Sequence, residues 1–196
     1  MRNRHTGMRI ALGIMSLVAV VLWMRVIYGF SEQTGLESTA VSNQVSGKLV
    51  KLVDALTGHS RSPEEVKLLA NKVEHLVRKA AHAAEYSVLA FLIYLHLSIY
   101  GINLGTKAFL SWLVSTVYAF TDEWHQTVVA GRSASLKDIV IDSVGAALVL
   151  FVILMVSANR QSRKVNRLLD EKWEMKQRRK AERQRAERLR RMNEER

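Results

Sequence analysis

Apolar positions along this chain gather into long blocks rather than alternating, and the blocks set the class of the protein. A helix crossing lipid needs about 20 mostly apolar residues, because hydrocarbon cannot satisfy backbone polar groups. Four segments approach that length: residues 10–30 (interrupted only by Arg25), 83–100, 107–126 and 139–157. The third, built on "AFLSWLVSTVYAFT", reaches membrane length only by continuing through the polar cluster "DEWHQ". The pattern predicts an all-α polytopic membrane protein, a four-transmembrane-helix bundle.

Residues 31–81, between the first two spans, carry a different periodicity. Val41, Val45, Leu49, Leu52, Val53 and Leu56 recur at helical spacing, with Lys48 and Lys51 on other faces. Ser62, Pro63 and Glu65 then spell a helix start with a capping box, followed by a stripe of Val66, Leu69, Val73, Leu76 and Val77. Two amphipathic helices are expected here, either lying on the outer membrane face or capping the bundle as a soluble hairpin. The tail, residues 158–196, is rich in Arg, Lys and Glu, with Glu174 and Arg178, and Glu187 and Arg191, at favourable spacing. It carries no sustained heptad seam, so a solvated charged helix near anionic headgroups is expected.

Composition sharpens this picture. The chain has 196 residues, no cysteine and a formal net charge of +11. The missing thiols exclude disulfides, thiolate nucleophiles and thiolate-ligated metal. The positive charge sits in the tail and in the flanks of the apolar blocks, with Trp173 the tail's sole aromatic, so nucleic acid is not the expected partner. Arg2, Arg4 and Arg9 precede the first span, making residues 1–9 a basic cytoplasmic N-terminus, and Lys and Arg crowd the tail. No small-x-small cleavage site follows the first span before "GFSEQ", so it reads as a retained anchor. Both termini therefore face the cytoplasm, and residues 31–81 and the turn at 127–138 face outward.

That topology collects the ionisable groups. Arg78, His82 and Glu85 stand at i, i+4 and i+7 on one helix face, with Lys79 and Tyr86 on the neighbouring stripe. The third span ends in "TDEWHQ", where Asp122, His125 and Gln126 share a face with Glu123 beside it; Arg132 follows in the turn. The fourth span enters with Asp138 and Asp142 one helical turn apart, while Arg25 and His96 stand outside the cluster. Charges at membrane depth cost several kcal/mol unless paired or hydrated, so the cluster is either a packing network or a functional site.

Three stretches resemble motifs of the VanZ-like family of bacterial membrane proteins: "FSEQTGLES", "RKAAHAAEY" and "TDEWHQTVVAGRSASLKDIVIDSVGA". The resemblance covers residues 10–157 and leaves the tail outside. It implies a plasma-membrane location, the cell envelope as setting and an association with low-level resistance to the glycopeptide antibiotic teicoplanin, without a settled biochemical activity. By position it marks Ser31 and Gln33; Arg78, Lys79, His82, Glu85 and Tyr86; Asp122, Glu123, His125 and Gln126; and Arg132 and Asp138. Two departures appear: Ala83 where an aromatic is common, which would widen the pocket, and Ala130 where a proline often precedes Gly-Arg, which would loosen the turn.

These groups suit two main chemistries. In the first, Arg78, Lys79 and Arg132 hold the phosphate or carboxylate of a lipid-linked envelope precursor or a lipoglycopeptide, with Ser31, Gln33, Tyr86, Gln126 and Asp138 completing the site. In the second, a membrane-embedded hydrolase or transferase works on a lipid head group, with His82 or His125 as base or nucleophile, and Glu85, Asp122 and Glu123 as acidic partners. A divalent metal on His82, Glu85, Glu123 and His125 is a third reading, but no HExxH motif is present and basic neighbours surround those residues, so no cofactor is expected. Four spans without an internal repeat do not describe a carrier.

Overall fold

The computed structural model describes the backbone of residues 2–132 and 134–194, with side chains for residues 6–132, 134–180 and 182. The side chains of Arg2 and Arg4 and of the Glu187 and Arg191 pair lie outside the described residues. Among the described residues there are five helices and no strand: α1 Arg2–Ser31, α2 Gly35–Thr57, α3 Pro63–Ser98, α4 Leu104–Gln126 and α5 Leu136–Glu194. Contacts group the chain up to Val152 into one compact unit and the residues from Ile153 onward into a second.

Helix boundaries follow local chemistry. Thr34 caps α2, accepting the Glu37 N–H at 3.3 Å while the Glu37 carboxylate accepts the Thr34 N–H at 2.8 Å. Gly58, at φ 72°, ends α2 in the left-handed region that glycine tolerates. Ser62 and Glu65 repeat the capping box at the start of α3, with Pro63 in the first turn. From there α3 runs 36 residues, about 54 Å at helical rise, so the second amphipathic segment and the second span are one helix. No glycine or proline separates them, and the alanines of "RKAAHAAEY" are strong helix formers.

Among the described residues three helices are long and apolar enough to cross a membrane: Thr6–Ser31, Pro63–Ser98 and Leu136–Lys180. The expected third span, α4, is not among them. Lys107, the hydroxyls of Ser111, Ser115, Thr116 and Thr121, and the acidic end at Asp122 and Glu123 lower its hydropathy. It nonetheless packs on α3 and α1. Its buried residues Ala108, Ser111, Ser115 and Ala119 form a small-residue stripe that permits close helix approach. Val20, Ile27, Tyr86, Leu89, Ile93 and Ala119 make the core of α1, α3 and α4. Two hydrogen bonds tie the same elements: Trp23 Nε1 donates to the Glu85 carbonyl at 2.9 Å and Tyr118 Oη to the Met24 carbonyl at 2.7 Å.

Burial on α2 runs opposite to that of a soluble helix. Ser38, Ser42, Ser46 and Asp54 are buried, and α2 packs on α3, whereas Val41, Val45, Leu49, Leu52 and Leu56 are exposed. An exposed apolar stripe flanked by Lys48 and Lys51 is the pattern of an interfacial helix. In the second unit, the helix exposes Leu168, Leu169, Trp173 and Met175 among its charges, with Glu174 and Arg178 one turn apart.

Candidate functional site

The turn between α4 and α5 is built by backbone rules. Arg132 N–H returns to the Val129 carbonyl at 3.2 Å with Gly131 at φ 75°, the positive angle that the third position of a type II turn requires. The Gly35 N–H donates to the Ala130 carbonyl at 3.2 Å, and Gly35 lies so close to Gly131 that a side chain at 35 would strike that backbone. The start of α2 is thereby fastened to the turn. Arg132 adds a hydrogen bond from Nη2 to the Phe30 carbonyl at 3.2 Å.

Beside this junction lie two adjoining pockets, of about 240 Å³ and about 180 Å³. Ser38, Arg78, His82 and Arg132 line both. Lys79, Gln126, Asp138 and Asp142 belong to the larger, and Gln33 and Glu85 to the smaller. The helical stripe read from the sequence therefore faces one hollow, shared by α2, α3, the turn and the start of α5.

Each charge has a defined setting. Lys79 Nζ meets Asp138 Oδ1 at 2.5 Å, and His82 Nδ1 lies 3.5 Å from Glu85 Oε2. Arg78 is 3.5 Å from Glu74 and donates to Thr39 Oγ1 at 3.2 Å. Among the described residues Arg132 has no ion-pair partner within 4 Å, though it lies in the field of Asp122, Glu123, Glu85 and Arg78.

Behind the pocket wall sits a buried polar layer. Ser31, Tyr86 and Gln126 surround Asp122, and Gln126 Nε2 donates to its Oδ2 at 3.2 Å. Glu123 is also buried, and its Oε1 accepts the Ser135 N–H at 2.5 Å, just ahead of α5. Ser31, Tyr86, Asp122 and Glu123 thus back the pocket without lining it.

His125 departs from the expected face. Its ring packs on Tyr28 of α1 with centroids 4.7 Å apart, and its Nε2 lies 3.1 Å from the tyrosine hydroxyl. Helical geometry explains the split. Gln126 lies about 40° around the helix from Asp122, whereas His125 lies about 60° to the other side, toward α1. His125 and His82 therefore do not share a pocket. Nor do His82, Glu85, Glu123 and His125 converge; among the described residues no group of three or more His, Asp or Glu is set to hold a metal ion.

Ala83 also plays a different part from the expected one. It does not line either pocket; its backbone is where α5 crosses α3, pressed against Gly145. Ser87 Oγ reinforces the crossing, 2.7 Å from the carbonyls of both Ala83 and Gly145. Arg25 and His96 lie elsewhere: Arg25 is 3.7 Å from Glu32 and stacks over Tyr28, and His96 Nδ1 meets Ser16 Oγ at 2.8 Å.

Sequence reading missed several residues in the pockets or beside them. His75 extends the Arg78–His82–Glu85 stripe by one turn, and Glu74 is the acid that holds Arg78. Both carried a visible signal in their spacing. Ser38 and Gly35 had none, because their position depends on how α2 folds back on α3.

No curated protein and no solved structure matches this chain. A family model described as VanZ/LLP1 matches residues 16–157, well over half of the chain and all of the site described above. That span holds the Arg78–Glu85 stripe, the "TDEWHQ" end of α4 and the Gly131–Arg132 turn, and the chain belongs to the VanZ/LLP1 family.

Proposed function

We propose that this protein is an envelope membrane protein whose pocket binds the anionic head of a lipid-linked molecule in the outer leaflet, in the setting of glycopeptide (teicoplanin-type) resistance or envelope maintenance. One observation carries the reading: Arg78 and Arg132 line the same two pockets beside His82, and among the described residues Arg132 has no ion-pair partner of its own. A guanidinium held at a pocket wall without a carboxylate within 4 Å is disposed to receive phosphate or carboxylate bidentately.

Size narrows the ligand. At about 240 Å³ the larger pocket falls below the roughly 300–1,000 Å³ that encloses drug-sized molecules. A head group fits; a lipoglycopeptide would engage only through a fragment.

The topology proposed with this function has four crossings and both termini in the cytoplasm. Two features support α4 as the fourth crossing: its 23 residues extend about 34 Å, and Ala119 and Tyr118 belong to the core shared with α1 and α3. The basic tail then lies near anionic cytoplasmic headgroups.

A second reading, catalysis on a phosphorylated or acylated head group, draws on His82 alone of the two histidines. It lines both pockets with Glu85 at 3.5 Å, the arrangement of a general base and its orienting acid.

Mass spectrometry of lipids and glycolipids that co-purify with the protein tests the binding reading. An anionic lipid retained by the wild type and lost from an Arg78→Ala, Arg132→Ala double variant is the expected result. Equal retention by both would overturn it. Turnover of a bound lipid that stops in His82→Gln while retention persists would favour catalysis.

A further inference from the structure

One pocket group takes no part in binding an anion. Asp142 is 5 % exposed, lines the larger pocket, and its Oδ1 has no hydrogen-bond partner among the described residues. Asp138 pairs with Lys79 and Glu123 accepts the Ser135 N–H, while Asp122 and Glu85 each keep an open oxygen as well but do not line the larger pocket. Asp142 is therefore a buried acceptor still open to a donor, in a pocket that Arg78, Lys79 and Arg132 also line.

Its surroundings choose among donors. His82 is the basic group that acts most on Asp142, and Lys79, Arg78 and Arg132 line the same pocket. A neutral hydroxyl could meet the open acceptor, but a cation with N–H bonds meets it with a charge-assisted hydrogen bond, the stronger of the two. A quaternary ammonium has no N–H, and the cage of aromatic faces that recognises one is missing: among the described residues no Phe, Tyr or Trp lines this pocket.

We infer that the pocket selects a zwitterionic 2-aminoethyl phosphate head, with its phosphate on Arg132 and Arg78 and its primary ammonium on Asp142. This rests on the anion-binding reading above and adds the specificity-determining residue. The pocket volume of about 240 Å³, roughly eight waters' worth of liquid, accommodates such a head and leaves its acyl chains in lipid.

The experiment compares binding of three lipids of the same acyl composition to the full chain in detergent, read by native mass spectrometry: phosphatidylethanolamine, phosphatidylcholine and phosphatidylglycerol. The wild type is expected to prefer the ethanolamine head by about tenfold or more, the effect of one charge-assisted hydrogen bond. Asp142→Asn, nearly isosteric, is expected to bring the three lipids within about twofold of one another while still binding them, and Arg132→Ala to weaken all three together. Equal wild-type binding of ethanolamine and choline heads, or a preference that survives in Asp142→Asn, would overturn the inference. Absence of wild-type binding to every one of these lipids would instead remove the anion-binding reading beneath it. Because the wild-type comparison needs no variant, it decides even if Asp142→Asn does not fold. Soluble O-phosphoethanolamine against O-phosphocholine forms a separate arm: the same preference there shows that the head alone is read, and a preference confined to the lipids places the ligand in the membrane.

Discussion

Gly145 of α5 rests on the backbone of Ala83 in α3, so close that a Cβ at residue 145 would overlap the Ala83 carbonyl. The crossing lies one helical turn from Asp142 and sets where the start of α5 meets the pocket wall. Gly145→Ala must push the helices apart, and overpacking of this kind costs about 1–3 kcal/mol. Thermal unfolding in detergent should show the loss, accompanied by weaker lipid retention. Gly47→Ala is the control. A Cβ at position 47 meets nothing within 4 Å, so removing a mid-helix glycine there should stabilise α2 by about 0.5–1 kcal/mol.

Ala130→Pro should stabilise the protein. Residue 130 is the second position of the Val129–Arg132 turn, where proline's fixed φ is already suited, and the bond to Gly35 uses the carbonyl that proline keeps. Restricting the unfolded chain at a compatible site contributes about 0.4–1 kcal/mol. The expected outcome is a higher unfolding midpoint with lipid binding retained or tightened. A lower midpoint would show that the backbone at 130 is unlike a type II turn.

Acid should loosen the start of α2. The Thr34 N–H and then the Thr34 hydroxyl hold the Glu37 carboxyl below the usual carboxylate range. A folded-state value lower than the unfolded one means that this cap is fully present above the ordinary carboxylate range and is lost as pH falls through the folded value. Hydrogen exchange at the first turn of α2 should therefore accelerate in acid relative to Glu37→Gln, whose amide bonds without titrating.

How much of this was legible beforehand varied with the kind of information each feature needed. The Arg78–His82–Glu85 stripe could be read because it depends only on 3.6-residue periodicity within one helix, and the Ser62–Glu65 capping box because it is local. The equivalent Thr34–Glu37 box had the same T-x-x-E signature and could have been found. By contrast, whether His125 faces the pocket or α1 turns on a difference of about 100° around α4, a matter of how helices pack rather than of spacing. The fusion of an outer helix with the second span in α3 was hidden because a change from amphipathic to fully apolar character looks like a boundary. Backbone geometry sees none where glycine and proline are absent. The family's motifs marked Arg132 and the residue before Gly-Arg, but the reason proline suits position 130 became visible only with the Arg132 to Val129 hydrogen bond.

The outward-facing apolar stripe of α2 gives the most direct check on where the site sits. Leu49 and Lys48 are neighbours in sequence and both exposed, yet in the interfacial arrangement the leucine meets acyl chains and the lysine meets headgroups and water. The chain has no cysteine, so single-cysteine variants need no background removal. In intact cells, Lys48→Cys should react readily with a membrane-impermeant maleimide and Leu49→Cys slowly, with both reacting at similar rates once the protein is denatured. Fast labelling at both positions would return α2 to the status of a soluble hairpin. Labelling at neither until the cells are opened would put α2 and the pocket beside it on the cytoplasmic side, where no outer-leaflet ligand could reach Arg132. Only the split between the two residues keeps both the interfacial helix and the outward pocket.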